Sequence, residues 1–120
     1  MHKLLITILF PLLLFAQGSL MLVGGGREDK NSWSDLPFQW FVEKADSGII
    51  INIDVDEASD WYPGYFRSLG GDNGSQELQI ASKSAANDSS IYKLLIQARG
   101  IFMEGGDQYD YVSTWKNTLV

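Results

Sequence analysis

Apolar residues in this chain fall into short runs separated by glycine-rich and acidic breaks. Ser19 to Val23 (SLMLV) is a compact apolar run ending in Gly24-Gly25-Gly26, the pattern of a buried parallel strand entering a turn. From Leu36 to Lys44 the spacing changes: Phe38, Phe41, Val42 and Ala45 recur three and four apart and predict a helix with one apolar face. Asp46-Ser47-Gly48 closes it, with Gly48 suited to the left-handed position after a helix. Ile49 to Ile53 is β-branched and broken only by Asn52, which predicts a strand covered on both faces. Trp61 to Leu69 carries a second helical pattern through Trp61, Tyr65, Phe66 and Leu69, ended by Gly70-Gly71. Glu77 to Ile80 is a weaker strand. Asn87-Asp88-Ser89 offers helix caps ahead of Ile91, Leu94, Leu95 and Ala98. Gly100 is expected to end that helix, and Ile101 to Met103 to form a fourth strand. Strand and helix alternating in this way predict an α/β fold, an open and mostly parallel sheet with flanking helices. The chain has no internal repeat, low-complexity stretch or linker.

The first residues follow a different pattern. Lys3 precedes twelve apolar residues, Leu4 to Phe15, and then Ala16-Gln17-Gly18. One positive charge, a short apolar core and small residues at cleavage spacing predict a secretory signal peptide over 1–18. Ala16 is a rival cleavage position. The apolar run is shorter than the roughly 20 residues of a membrane span, so an uncleaved anchor is the minor alternative. A buried core element fits less well, because Pro11 interrupts the run. The expected product is exported, periplasmic or extracellular, with residues 19–120 as its α/β domain.

Composition narrows the chemistry. Among 120 residues, 15 are acidic and 9 basic, a formal charge of −6, which is the wrong sign for covering phosphates; no nucleic-acid partner is expected. Cysteine is absent and the one histidine is His2, which leaves with the signal segment. Thiolate sites, imidazole metal sites and a cysteine nucleophile are thereby excluded, and neither a cofactor nor a metal is expected.

Three places invite a functional reading. Gly24-Gly25-Gly26-Arg27-Glu28-Asp29-Lys30 follows an apolar run but fails both phosphate-loop patterns, having Asp29 where a third spaced glycine belongs and no Gly-Lys-Ser/Thr. It reads as a tight turn at the strand edge where ligands of open α/β sheets bind. Asp54, Asp56, Glu57 and Asp60 form an acidic cluster, yet Ala58 and Ser59 stand where a calcium loop needs Asp or Asn and then Gly. That cluster reads as a solvated loop and helix start. Asn73-Gly74-Ser75 and Asn87-Asp88-Ser89 match the glycosylation acceptor pattern, which matters only in a glycosylating host. Gly105-Gly106-Asp107-Gln108 directly follows the last strand; two glycines allow close backbone approach, and a glutamine amide there can hold a carbonyl. Read without further context it is a strand-to-helix turn with Asp107 as the cap.

Taken in order, GGGREDK (24–30), FVEKADSGIIINI (41–53), YFRSLGG (65–71), ASKSAAND (81–88) and GIFMEGGDQYDYVSTWKNT (100–118) resemble the N-terminal half of the cyanophycinase-like serine peptidases, family S51. The resemblance implies a class I glutamine amidotransferase-like fold, incomplete at the carboxyl end, and hydrolysis of peptide or isopeptide bonds, β-aspartyl-arginine among them. It implies a serine nucleophile in a G-T-S-A-G-type motif, then a histidine and an acid. None of these is present: no Gly-x-Ser-x-Gly occurs. What carries over is Gly105 and Gly106 as backbone at the oxyanion site, and Gln108, Asp107, Gly24, Gly25 and Gly26 on the substrate side, with Asp107 capping or bracing its loop. The expected identity is a fragment of an exported peptidase, with a peptide substrate, no stable membrane partner after signal cleavage, and homodimerisation open. A non-catalytic binding module and a non-functional truncated product are the alternatives. An unfinished sheet exposes an apolar edge, which speaks against a free-standing module and predicts that the isolated domain aggregates and is inactive.

Overall fold

A computed structural model describes residues 18–24 and 26–120. The expected signal segment, apart from Gly18, lies outside these residues, and so does Gly25.

The order is α1 (Asp35–Lys44), β1 (Ile50–Asp54), α2 (Trp61–Ser68), β2 (Gln76–Gln79), α3 (Lys83–Ala86), α4 (Ser89–Gln97), β3 (Gly100–Met103) and α5 (Gln108–Trp115). The strands form one open parallel sheet in the order β2-β1-β3. β1 is central, and every one of its residues is buried, as its β-branched run requires.

Alternation along β1 divides the core. Ile51 and Ile53 face one side, where they meet Val55, Ile80, Leu95 and Trp115. Ile50 faces the other, against Phe38, Val42, Ala45, Tyr65 and Phe66 of α1 and α2. Phe38 anchors this second layer, its ring 5.4–6.4 Å from those of Tyr62, Tyr65, Phe66 and Phe102. Helices start where their sequences permit it. Pro37 and Pro63 stand third in α1 and α2, where a backbone N–H has no intrahelical partner to lose. Ser82, Asp88 and Asp107 cap α3, α4 and α5 by accepting from the N–H of Ala85, Ser90 and Tyr109.

Several expectations are corrected. Ser19–Val23 is not a strand, so the sheet has three strands rather than four among the described residues. Met21 and Val23 pack on the α1–α2 layer, while Leu20 and Leu22 stay 80% and 86% exposed; the segment alternates like a strand but pairs with none of the three strands. The left-handed residues after α1 are Asp46 and Ser47, not Gly48. Gly48 is needed for space, since a Cβ there would lie 2.4 Å from Arg99 Cγ. Gly100 does not end α4 but begins β3, its missing side chain making room for Phe41 and Ala45. Asp54 is buried, not solvated. Among the described residues, no helix is long and apolar enough to cross a membrane.

Candidate functional site

The strand order places the site. From β1 the chain crosses by α2 to β2 on one side, then returns by α3 and α4 to β3 on the other. α2 packs on the Ile50 face, whereas Leu95 of α4 and Trp115 of α5 pack on the Ile51 face. The loops leaving β1 and β3 therefore diverge to opposite faces. A crevice opens at the carboxyl ends of those strands, the position where open α/β sheets bind ligands.

Both glycine turns border the outer side of β3. A cleft of about 780 Å³ beside β3 is walled by Met21, Val23, Gly24 and Gly26 on one side and by Tyr62, Phe102, Glu104 and Gly105 on the other. Glu28 accepts from Tyr62 Oη at 3.0 Å and ties the first turn to α2. Trp33 Nε1 donates to the Arg27 carbonyl at 3.3 Å and holds the turn from below.

The two glycines of the second turn differ. A Cβ at Gly105 would meet nothing within 4 Å, whereas one at Gly106 would lie 2.9 Å from Tyr111 Cε2. Gly105 thus faces open space, and Gly106 is required by the approach of Tyr111. Asp107 Oδ1 accepts from Tyr109 N at 2.8 Å, the capping role expected of it. Gln108 is exposed as the first residue of α5. Gly24, Gly26 and Gly105 share the cleft; Gly106, Asp107 and Gln108 do not line it.

Beneath the turns the edge is acidic. Asp54, Glu77 and Glu104 bring carboxylate oxygens within 4.8 Å of one another, one residue from each strand or its immediate continuation. Register explains the meeting. Asn52 lies opposite Glu77 on one side and Phe102 on the other, and Asp54 points the same way two residues later. Asn52 Nδ2 donates to Glu104 Oε1 at 2.5 Å. Ser59 N donates to Glu77 Oε1 at 2.8 Å, and Tyr111 Oη to Asp54 Oδ1 at 3.2 Å.

Electrostatics follow from this crowding. Burial, reinforced by the charges of Glu77, Asp54 and Glu28, raises the Glu104 carboxyl above the ordinary carboxylate range, while the Asn52 hydrogen bond opposes the rise. Burial and adjacent carboxylates also hold the Tyr62 and Tyr111 phenols well above their usual range. The ion pairs among the described residues, Arg67–Asp60 and Arg99–Asp46, bring no cation to the three carboxylates.

Sequence reading missed Asn52, Tyr62, Glu77, Glu104 and Tyr111. One signal was available: Asn52 interrupts an isoleucine run at a position that must be buried. The rest depends on register. The chain matches no protein-family model and no curated protein.

Proposed function

We propose that this chain supplies the oxyanion and substrate side of an exported serine-type peptidase of the cyanophycinase-like kind, built on a class I glutamine amidotransferase-like sheet. The observation that carries the reading is the convergence of Gly24, Gly26 and Gly105 on one cleft along the outer side of β3.

In this reading a peptide or isopeptide carbonyl lies against the backbone at Gly105, while Gly106 makes room for Tyr111 behind it. Serine attack moves the carbonyl electrons onto oxygen, and backbone N–H groups stabilise the charge that develops. Collapse expels the amine and leaves an acyl-enzyme that water hydrolyses. The resemblance puts Gln108 on the substrate side, exposed at the start of α5 outside the cleft walls, while Asp107 keeps that helix start in place. The serine, its histidine base and the acid come from outside these 120 residues, which contain no Gly-x-Ser-x-Gly. The outer strand supports this, because Ile101 and Met103 of β3, on the face shared with Ile51 and Ile53, are 47% and 54% exposed and offer apolar surface for another segment to cover.

The test is to read the coding frame past codon 120 and to express what it encodes. The expected product continues into a Gly-x-Ser-x-Gly segment, is labelled covalently by a serine-directed fluorophosphonate, and hydrolyses β-aspartyl-arginine or α-linked peptides. The 120-residue chain by itself turns over neither. An intact product of 120 residues that hydrolyses peptides, or a longer product that the probe fails to label, overturns the reading.

A further inference from the structure

We propose that Asp54, Glu77, Glu104 and the side-chain oxygen of Asn52 form a binding site for one hard divalent cation, of the Mg²⁺, Mn²⁺ or Ca²⁺ class, at the carboxyl end of the sheet. The proposal goes beyond the peptidase reading and does not rest on it, since Asp54, Glu77 and Asn52 have no part in that chemistry.

The carboxylates supply the geometry: their oxygens lie within 4.8 Å of one another, close enough to be spanned by a single ion. The independent observation is Asn52. Its side chain is wholly buried, and Oδ1 has no hydrogen-bond partner. Its orientation is set by the bond from Nδ2 to Glu104, and covalent geometry keeps Oδ1 within about 2.5 Å of that nitrogen. A buried acceptor is thus held next to the Glu104 carboxylate of the cluster, with nothing to accept from. Glu77 Oε2 is likewise buried without a partner. Orphaned acceptors beside like charges are costly in a low-dielectric site, and a cation resolves both problems at once.

The donor set selects the metal class. All four groups offer oxygen, the preference of Mg²⁺, Ca²⁺ and Mn²⁺, and no imidazole or thiolate favours zinc or copper. Sequence spacing does not reveal such a site, because its ligands come from three strands and meet through register. The competing arrangement is a carboxyl proton donated to Asn52 Oδ1, which neutralises one acid and needs no metal.

Mn²⁺ binding to the chain, counted by loss of the free-ion electron paramagnetic resonance signal, separates the two. The expected result is saturation at one Mn²⁺ per chain. Glu77→Gln with Glu104→Gln should weaken binding by at least about tenfold with an unchanged circular dichroism spectrum, while Glu57→Gln in the exposed loop leaves it unchanged. If the double variant fails to fold, Glu104→Gln serves instead, because its amide oxygen still accepts from Asn52. The wild-type melting midpoint should also rise in millimolar Mn²⁺ relative to chelator. Absence of saturable binding, or equal affinity in a folded cluster variant and the wild type, overturns the proposal in favour of the shared proton.

Discussion

The two ends of β1 are built on opposite principles. At the amino end, Ile50 N donates to the buried Ser75 Oγ at 3.0 Å, and Arg67 Nη1 donates to the Ser75 carbonyl at 2.9 Å. Arg99 N closes on the Ile49 carbonyl at 2.8 Å, and Gly48 lets the Arg99 stem lie against the turn. At the carboxyl end, Asn52 Oδ1 and Glu77 Oε2 are buried without partners, and three carboxylates crowd together. One end satisfies its polar groups and joins the elements. The other leaves acceptors unpaired beside a cleft, an arrangement that adds nothing to folding stability.

Substitutions should separate the ends by sign as well as size. The largest loss is expected in the layer that supports both. Phe38→Ala removes a fully buried ring packed on four others and should cost about 3–5 kcal/mol in denaturant unfolding. Against a total stability of about 5–15 kcal/mol, that leaves a marginal fold. Ser75→Ala comes next: it strands the Ile50 N–H in the core and should cost about 1–3 kcal/mol. A loss no larger than an ordinary surface change would mean that the amino end is not the stabilising one.

Alkaline pH probes the same layer through Tyr65. Burial first, and the 2.6 Å hydrogen bond to Asp35 second, push its phenol from 10.0 up to about 12. The folded state therefore holds this proton more tightly than the unfolded state. The resulting stability is complete below pH 10 and drains away as pH rises towards about 12. Melting midpoints across that window should fall, and Tyr65→Phe should flatten the fall.

Smaller effects belong to the carboxyl end. Gly106→Ala must displace Tyr111 and should cost about 1 kcal/mol, whereas Gly105→Ala should stay within about 0.5 kcal/mol in stability. Equal losses at the two positions would contradict the assignment of only Gly105 to the open cleft. Glu104→Gln removes one of three like charges, so in chelator at low salt it should raise the melting midpoint slightly. Added salt should shrink the gain.

Much of the scaffold was legible in the chain. The isoleucine run gave a central strand buried on both faces, and the spacing of Phe38, Val42 and Ala45 gave the inner face of α1. Asp107 was readable as a cap because its position before a helix leaves few other uses for a short carboxylate. Ser19–Val23 misled because alternation and apolarity are necessary for a strand, while a neighbouring ladder is what makes one. Asp54 misled because it was grouped with Asp56 and Glu57, its neighbours in sequence. Its neighbours in space are Glu77 and Glu104, supplied by parallel strands 23 and 50 residues further along the chain. Parallel pairing joins distant residues, and no local pattern specifies which carboxylates will meet.

The most direct test of the central claim, that the cleft beside β3 is the working site, is amide NMR on the chain titrated with a β-aspartyl-arginine dipeptide. Shifts are expected at Gly24, Gly26, Tyr62 and residues 104–108. Shifts gathered instead around Gly48, Ser75 and Arg99, at the opposite end of the sheet, or no saturable shift at all, would contradict it.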